Sequence, residues 1–329
     1  MAYGDRVLSP PVGLTEDALT AALRERWGLA VDSLAYRPVG WGSHHWEAVD
    51  SGGTRWFVTV DELAKKRHTR EEPLDVAFDR LRASLAAAHD LYALGHSFVV
   101  APVPAKDGDP VVRLGGSFGL TLAEFVAGRS FDWGEYASAA HRQAVLDIVV
   151  AVHATGVRAM VDDYAVPHRD ELEAALCGDD PGACGPYAQE STQLLVTYAA
   201  PVRRLLGEYD MLVARARALP DRAVLTHGEP HPGNTMLAAD GWRLIDWDTA
   251  LLAPPERDLW SLDPGDGSLL DTYADATGVV PLPWLLELYR IRWDLADNAV
   301  DVARFRHPHS GGPDDDTTWN LLRHRVAGA

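Results

Sequence analysis

The 329-residue sequence predicts an α+β protein of two lobes, a small antiparallel-sheet lobe over 1–126 and a mainly helical lobe over 127–329. Two observations predict it. Short β-patterned runs joined by glycine-bearing turns crowd the first third of the chain, with one long alanine- and leucine-rich helix among them. After Ala127-Gly128-Arg129 the pattern turns to long stretches with apolar residues at helical spacing, interrupted by three short strands.

Each element has its own signal. Residues 15–27 read as an amphipathic helix with Thr15 as N-cap and Gly28 as its stop. Strand patterns follow at 34–39, 45–49 and 56–60, joined by GWGS and then DSGGT, a hairpin signal. Residues 73–94 are helical in pattern and closed by Gly95; strands follow at 111–114 and 119–125, with a hinge near 124–128. In the second lobe helices are expected at 135–155, 191–218 and 282–305, with strands at 223–226, 235–237 and 242–246. The acidic run Asp314-Asp-Asp316 reads as a surface loop.

Composition narrows the function. Asp+Glu number 48 against Lys+Arg 30, a net charge of −18 that argues against nucleic acid and anionic membranes as partners and favours cationic ligands, unless it serves solubility alone. Cys177 and Cys184 lie in a turn-rich CGDDPGAC loop whose spacing fits no common zinc site. The N-terminal stretch has no signal-peptide apolar run, and no segment approaches the ~20 apolar residues of a membrane span, so a soluble cytoplasmic protein is expected.

The chemistry concentrates in Thr226-His-Gly-Glu-Pro-His-Pro-Gly-Asn-Thr-Met-Leu237 and, shortly after, Leu244-Ile-Asp-Trp-Asp248. Phosphoryl transfer asks for a carboxylate to orient the attacking hydroxyl and for oxygen ligands to Mg²⁺. Glu229 and, five residues on, Asn234 offer both in one turn; Asp246 at a strand end adds an anionic ligand. The turn Gly40-Trp41-Gly42-Ser43 sits where a phosphate-covering loop belongs, with backbone N–H groups and the Ser43 hydroxyl as donors and Trp41 at its tip.

These motifs resemble the aminoglycoside phosphotransferase family, whose loop usually reads His-Gly-Asp-(four residues)-Asn; Leu252-Ala-Pro-Pro-Glu-Arg-Asp-Leu259 is similar to the spectinomycin phosphotransferase branch. The resemblance implies a protein-kinase-like fold and an ATP- or GTP-dependent, Mg²⁺-requiring transfer to a small hydroxylated, cationic acceptor such as an aminoglycoside or aminocyclitol. It places Glu229 as catalytic base and Asn234 and Asp246 as metal ligands. His227 becomes a brace for the loop, Asp258 a buried anchor, and the backbone at Glu124–Val126 the adenine contact. His231 is a second candidate base.

Three positions depart from the family pattern. Glu229 stands where Asp is usual. Thr59 stands where strand three normally carries the phosphate-binding lysine, and Arg82 lies near the place of the helix glutamate that pairs with it. An inward Arg82, or Lys65 or Lys66 just beyond the strand, would restore a cation. The same departures motivate the alternative of a catalytically silent nucleotide- or ligand-binding protein. Protein-kinase activity fits less well, since no activation segment is identifiable between Asp246 and Asp258. For the acceptor, Asp294, Asp297 and Asp301 share one face of the late helix beside Trp293, either a carboxylate stripe for a polycation or a solvated face.

Overall fold

The computed structural model describes residues 9–40, 42–182, 184–220 and 222–328; Trp41, expected at a loop tip, lies outside them. In chain order the elements are α1 (Glu16–Trp27), β1 (Val31–Arg37), β2 (His44–Asp50), β3 (Arg55–Glu62), α2 (Leu74–Ala93), β4 (Val112–Leu114), β5 (Phe118–Glu124), β6 (Gly128–Ser130), α3 (Ala139–His153), α4 (Arg169–Leu176), α5 (Ala188–Thr197) and α6 (Ala199–Arg217). There follow β7 (Val224–Thr226), β8 (Thr235–Ala238), β9 (Gly241–Leu244), β10 (Leu251–Ala253), α7 (Glu256–Leu259), α8 (Ser268–Thr277), α9 (Pro283–Arg306) and α10 (Pro313–Gly328). They form two compact units, one of residues 1–66, 74–162 and 222–281, the other of 67–73, 163–221 and 282–329.

The first unit opens with α1, whose Thr15 hydroxyl accepts the Ala18 N–H and whose Gly28, left-handed at φ 78°, closes the last turn. An antiparallel sheet in the order β1-β2-β3-β5-β4 follows. Asp50 Oδ1 accepts the N–H groups of Gly52 and Thr54, which fixes the β2–β3 hairpin turn. Strand alternation then decides what faces where. Val58 and Val60 are fully buried against Leu19, Leu23 and Trp46, so Thr59 and Asp61 take the opposite face of β3.

A second core gathers Ala87, Ala88 and Leu91 of α2 with Ile148 and Val152 of α3, Leu225, Leu244 and Trp247. The Ser84 hydroxyl of α2 donates to Ala250 O at 3.0 Å, tying the helix to the turn that follows β9. Strands β6, β8 and β9 form one small sheet; β7 and β10 form another. These short ladders hold the chain on both sides of the sequence motifs.

The second unit packs α4, α5, α6 and α10 around α9. Arg306 is buried there between Glu171 at 3.0 Å and Asp179 at 2.6 Å. Two sequence expectations are corrected here. The stretch expected as one helix over 191–218 breaks at Tyr198 into α5 and α6, because Pro201 lacks the N–H that a continuous helix needs from it. Asp314–Asp316 are the first turn of α10 rather than a loop: Asp315 is buried, accepts the N–H groups of Gly311 and Gly312 and takes Arg304 at 2.7 Å, as suits a carboxylate at a helix N-terminus.

Candidate active site

The loop between β7 and β8 is held almost wholly through its backbone. Asp258, with no exposure, accepts the N–H groups of His227 (2.9 Å) and Gly228 (2.6 Å) and the Nε2–H of His153 (3.1 Å). Tyr273 in turn donates its hydroxyl to His153 Nδ1 at 2.9 Å. Burial works to raise the Asp258 pKa, but His153, Arg257 and His227 hold it below the ordinary carboxylate value. Gly228 has φ 100°, and a Cβ there would fall inside the guanidinium of Arg257, which donates to Thr226 Oγ1 and to Thr249 O, both at 2.8 Å. Only glycine fits that position.

His227 uses both ring nitrogens: Nε2 donates to Ile245 O at 2.9 Å, and Nδ1 accepts the Glu229 N–H at 3.2 Å. Its ring stands edge-on to Trp247, and burial lowers its pKa, so the neutral ring positions Glu229 and cannot itself touch a substrate. Tyr136 donates to Pro230 O at 2.6 Å, fastening the far side of the loop. Glu229 keeps a third of its side chain exposed, with His231 Nε2 3.8 Å from its carboxylate.

Asn234 ends a short 3-10 turn, and its amide nitrogen donates to Glu229 O at 3.0 Å. That bond commits the nitrogen to the loop and makes the side-chain oxygen the end that can serve a metal. Its carbonyl accepts the N–H of Ile245 at 2.9 Å, which docks the Asp246 strand end onto the loop. Asp246 is left-handed at φ 65°, a conformation that costs a non-glycine residue about 1 kcal/mol and clusters at functional sites. Asp246 is itself exposed, yet the protein packed around its carboxyl and the adjoining Asp248 carboxylate push its pKa well up; Glu229 and Asp61 act in the same sense, and Lys66 opposes them. Such a crowd of carboxylates is a site short of positive charge.

Where the strand lysine is usual, Thr59 Oγ1 instead meets His45 Nδ1 at 3.2 Å; His45 stacks on Phe57, and burial pushes its pKa down to about 4. Neither group carries charge near neutrality. The buried residues of α2 include no carboxylate. Arg82 does not turn inward: nearly half exposed, it pairs with Asp79 at 3.2 Å and Asp109 at 3.8 Å, because it lies on the face of α2 opposite the buried Ser84. Gly40 and Gly42 both take positive φ, as a close backbone approach requires, whereas Ser43 spends its one hydroxyl proton on Asp61 Oδ1 at 2.6 Å and has none for a phosphate. Glu124 pairs with Trp56 at the end of β5, and Val126 lies in the linker to β6.

Lys66 is the residue that motif spacing undervalued. Its ammonium lies 3.0 Å from Asp61 Oδ1 and also pairs with Asp248. Burial disfavours its charge, yet Asp248, Asp61 and Asp246 hold its pKa well above the ordinary lysine value. Strand periodicity predicts that Asp61 shares the Thr59 face; nothing local signals that a turn residue folds back to meet it.

In the second unit the acidic stripe of α9 is already matched by arginines. Asp294 takes Arg290 at 3.0 Å; Asp297 stands 3.7 Å from Arg325, which also bonds the buried Asp301. Burial raises the Asp294 pKa while Arg290 lowers it. The stripe is neither a bare carboxylate surface nor a merely solvated one.

A five-stranded sheet with α1 and α2, followed by a loop carrying Glu229 and Asn234 beside a strand-end Asp246, defines a kinase-like protein. Residues 35–306 match the phosphotransferase enzyme family, and the chain belongs to it. It is 32% identical over 249 residues to Protein StrN of Streptomyces griseus, an alignment covering 69% of this chain and 71% of the relative. Among solved structures, a spectinomycin phosphotransferase in complex with ADP and spectinomycin superposes with a TM-score of 0.68 at 15% identity, covering 96% of this chain and 94% of the other. A choline kinase LicA from Streptococcus pneumoniae gives 0.56 at 14% identity, with 95% and 99% covered. At such identities the likeness shows the shared fold. Among the described residues no helix is long and apolar enough to cross a membrane.

Proposed function

We propose that this phosphotransferase moves the terminal phosphoryl group of ATP, or of GTP, to a hydroxyl of a small cationic acceptor such as an aminoglycoside or aminocyclitol. The observation that carries the reading is the docking of the Asp246 strand end onto the Glu229–Asn234 loop through the Ile245–Asn234 backbone bond. That bond keeps the Glu229 carboxylate and the side-chain oxygens of Asn234 and Asp246 on one connected frame, which supports a carboxylate for the acceptor beside two oxygen ligands. The charge balance supports Mg²⁺: Asp246, Asp248, Glu229 and Asp61 place more negative charge together than Lys66 can balance.

When bound, Mg²⁺ supplies positive charge to the transferring phosphoryl oxygens. Asn234 Oδ1 and the Asp246 carboxylate would hold it. Glu229 orients the acceptor hydroxyl and accepts its proton; the partly exposed carboxylate, fastened at its own N–H by His227, reaches toward solvent where an acceptor enters. His227 and Asp258 keep that carboxylate in place. Residues 1–126 cover the nucleotide, with the Gly40–Gly42 turn over the phosphates and the backbone at Glu124 and Val126 at the base; residues 127–329 carry the catalytic loop and the acceptor. Asp294, Asp297 and Trp293 are the acceptor-binding candidates, and an acceptor ammonium would have to compete with Arg290 for Asp294.

The net charge of −18 and the likeness to a structure holding spectinomycin support a cationic aminocyclitol. The test is titration with ATP and Mg²⁺ followed by thermal stability, then phosphate transfer to spectinomycin-like aminocyclitols. Nucleotide at 100 Kd adds about 2.7 kcal/mol to stability. A shift with transfer establishes the activity. A shift without transfer to any hydroxylated acceptor favours a silent nucleotide-binding protein, and no shift removes the nucleotide from the reading.

A further inference from the structure

We infer that Lys66, reaching back from the turn after β3, is the cation that steadies the nucleotide phosphates in this chain, with Asp61 as its positioning residue. The inference rests on the nucleotide-dependent reading above and names the group that makes it work without a strand lysine.

The sequence holds three lysines, Lys65, Lys66 and Lys106. Lys106 donates to Glu25 O, and Lys65, half exposed, pairs with Glu62 at 2.5 Å. Lys66 alone of the three sits among the carboxylates of the metal turn, between Asp61 and Asp248. Three features make it more than a structural ion pair. First, an ammonium has three donors and these two carboxylates take two, while a quarter of the side chain remains exposed. Second, the Ser43 hydroxyl bonds the Asp61 oxygen that Lys66 contacts. The chain Ser43–Asp61–Lys66–Asp248 therefore links the glycine turn to the Asp246 turn, the two features assigned to the phosphates and to the metal. Third, the backbone behind the side chain is fastened, since Arg80 donates to Lys66 O at 2.8 Å.

The positions Thr59, His45 and Arg82 cannot do this work. Thr59 and His45 satisfy each other uncharged, and Arg82 points away to Asp79 and Asp109. Asp61 lies two residues along β3 from Thr59 and so on the same face, which brings the ammonium of Lys66 to the surface that a strand lysine would occupy. The change is a relocation of charge from the strand to the following turn.

An acyl-phosphate derivative of ATP tests this on the full wild-type chain. A lysine amine at the phosphates attacks the acyl carbonyl; the C–N bond forms, the acyl C–O bond breaks, ATP leaves and the amine loses a proton to solvent. With three lysines, peptide mass spectrometry reads the site directly. Lys66 is expected to carry the label, and excess ATP with Mg²⁺ is expected to abolish it. A thermal shift with ATP but label only on Lys65, on Lys106 or on none overturns the inference and leaves the phosphotransferase reading intact. No thermal shift at all defeats both.

Variants give the second readout. Lys66→Met should weaken ADP·Mg²⁺ binding roughly 10- to 100-fold, the loss of one charge-assisted hydrogen bond, while Lys66→Arg stays near wild type. Adding Thr59→Lys to Lys66→Met should recover the affinity by restoring a lysine on the strand. Should Lys66→Met fail to fold because Asp61 and Asp248 then face each other uncompensated, the Asp61→Asn/Lys66→Met pair removes both charges together. Affinity within twofold of wild type in Lys66→Met, or in Asp61→Asn/Lys66→Met where the single variant does not fold, overturns the inference.

Discussion

The loop between β7 and β8 and the sheet floor fix their charged groups by opposite means. Around His227–Asn234 the backbone itself is the scaffold: Asp258, Tyr136 and Ile245 bond main-chain groups, and Arg257 and Thr249 brace them. On the floor, β2 and β3 carry an uncharged His45–Thr59 contact, and the ammonium beside it belongs to Lys66 on the following turn, fixed by two carboxylates. A backbone-held site ties function to particular positions in the chain. A side-chain-held charge needs only its end point, so the residue supplying it can move along the sequence.

If this contrast is right, the largest effect comes from cutting the loop scaffold. Asp258→Ala leaves two buried N–H groups and His153 without their acceptor, and should cost about 3–5 kcal/mol and abolish transfer, read by urea unfolding and turnover. Because the folded pKa of Asp258 is depressed, its stabilisation is complete above the unfolded carboxylate value and fades as pH falls through the folded one. A loop that keeps its turnover in Asp258→Ala would end the comparison.

Asp246→Asn should lower kcat by roughly 10³-fold, the loss of several kcal/mol of charge stabilisation, with the fold intact. Stability moves the other way in metal-free protein. The folded pKa of Asp246 is raised, so its contribution is full below about pH 4 and is lost as pH rises toward the folded value. The difference between wild type and Asp246→Asn, followed by thermal melts with a chelator, should therefore shift in favour of the variant as pH rises; a flat difference would show that the carboxylates do not crowd.

Glu229→Gln keeps the loop bonds and should reduce kcat about 10²-fold while nucleotide affinity stays unchanged, separating proton acceptance from scaffolding. The smallest effect is expected from Asp294→Asn, an exposed pair with Arg290 worth no more than about 0.5 kcal/mol of stability. A several-fold rise in the KM of a cationic acceptor, with no change for a neutral one, would place the acceptor at α9.

The loop was legible because its residues are near neighbours in the chain. Glu229 and Asn234 lie five apart in one turn, and the Gly228 φ and the 3-10 turn at Pro232–Asn234 follow from local chemistry. Arg82 was misplaced because a linear count from Gly95 locates a residue along α2 without deciding which face the neighbouring core buries. The expected single helix over 191–218 failed for a local reason, Pro201, that apolar periodicity outweighed. Asp314–Asp316 were misread because acids at a helix start and acids in a loop look alike until Gly311, Gly312 and Arg304 are seen to bond Asp315.

By itself the sequence determined the α+β layout and the loop and strand-end motifs, since each is written in residues a few positions apart. Tertiary structure alone decided where the Lys66 ammonium sits. Lys66 and Asp248 stand 182 positions apart, and only folding makes a turn after β3 and a turn after β9 into neighbours. Electrostatic attraction depends on distance in space, and no spacing rule along the chain carries that distance.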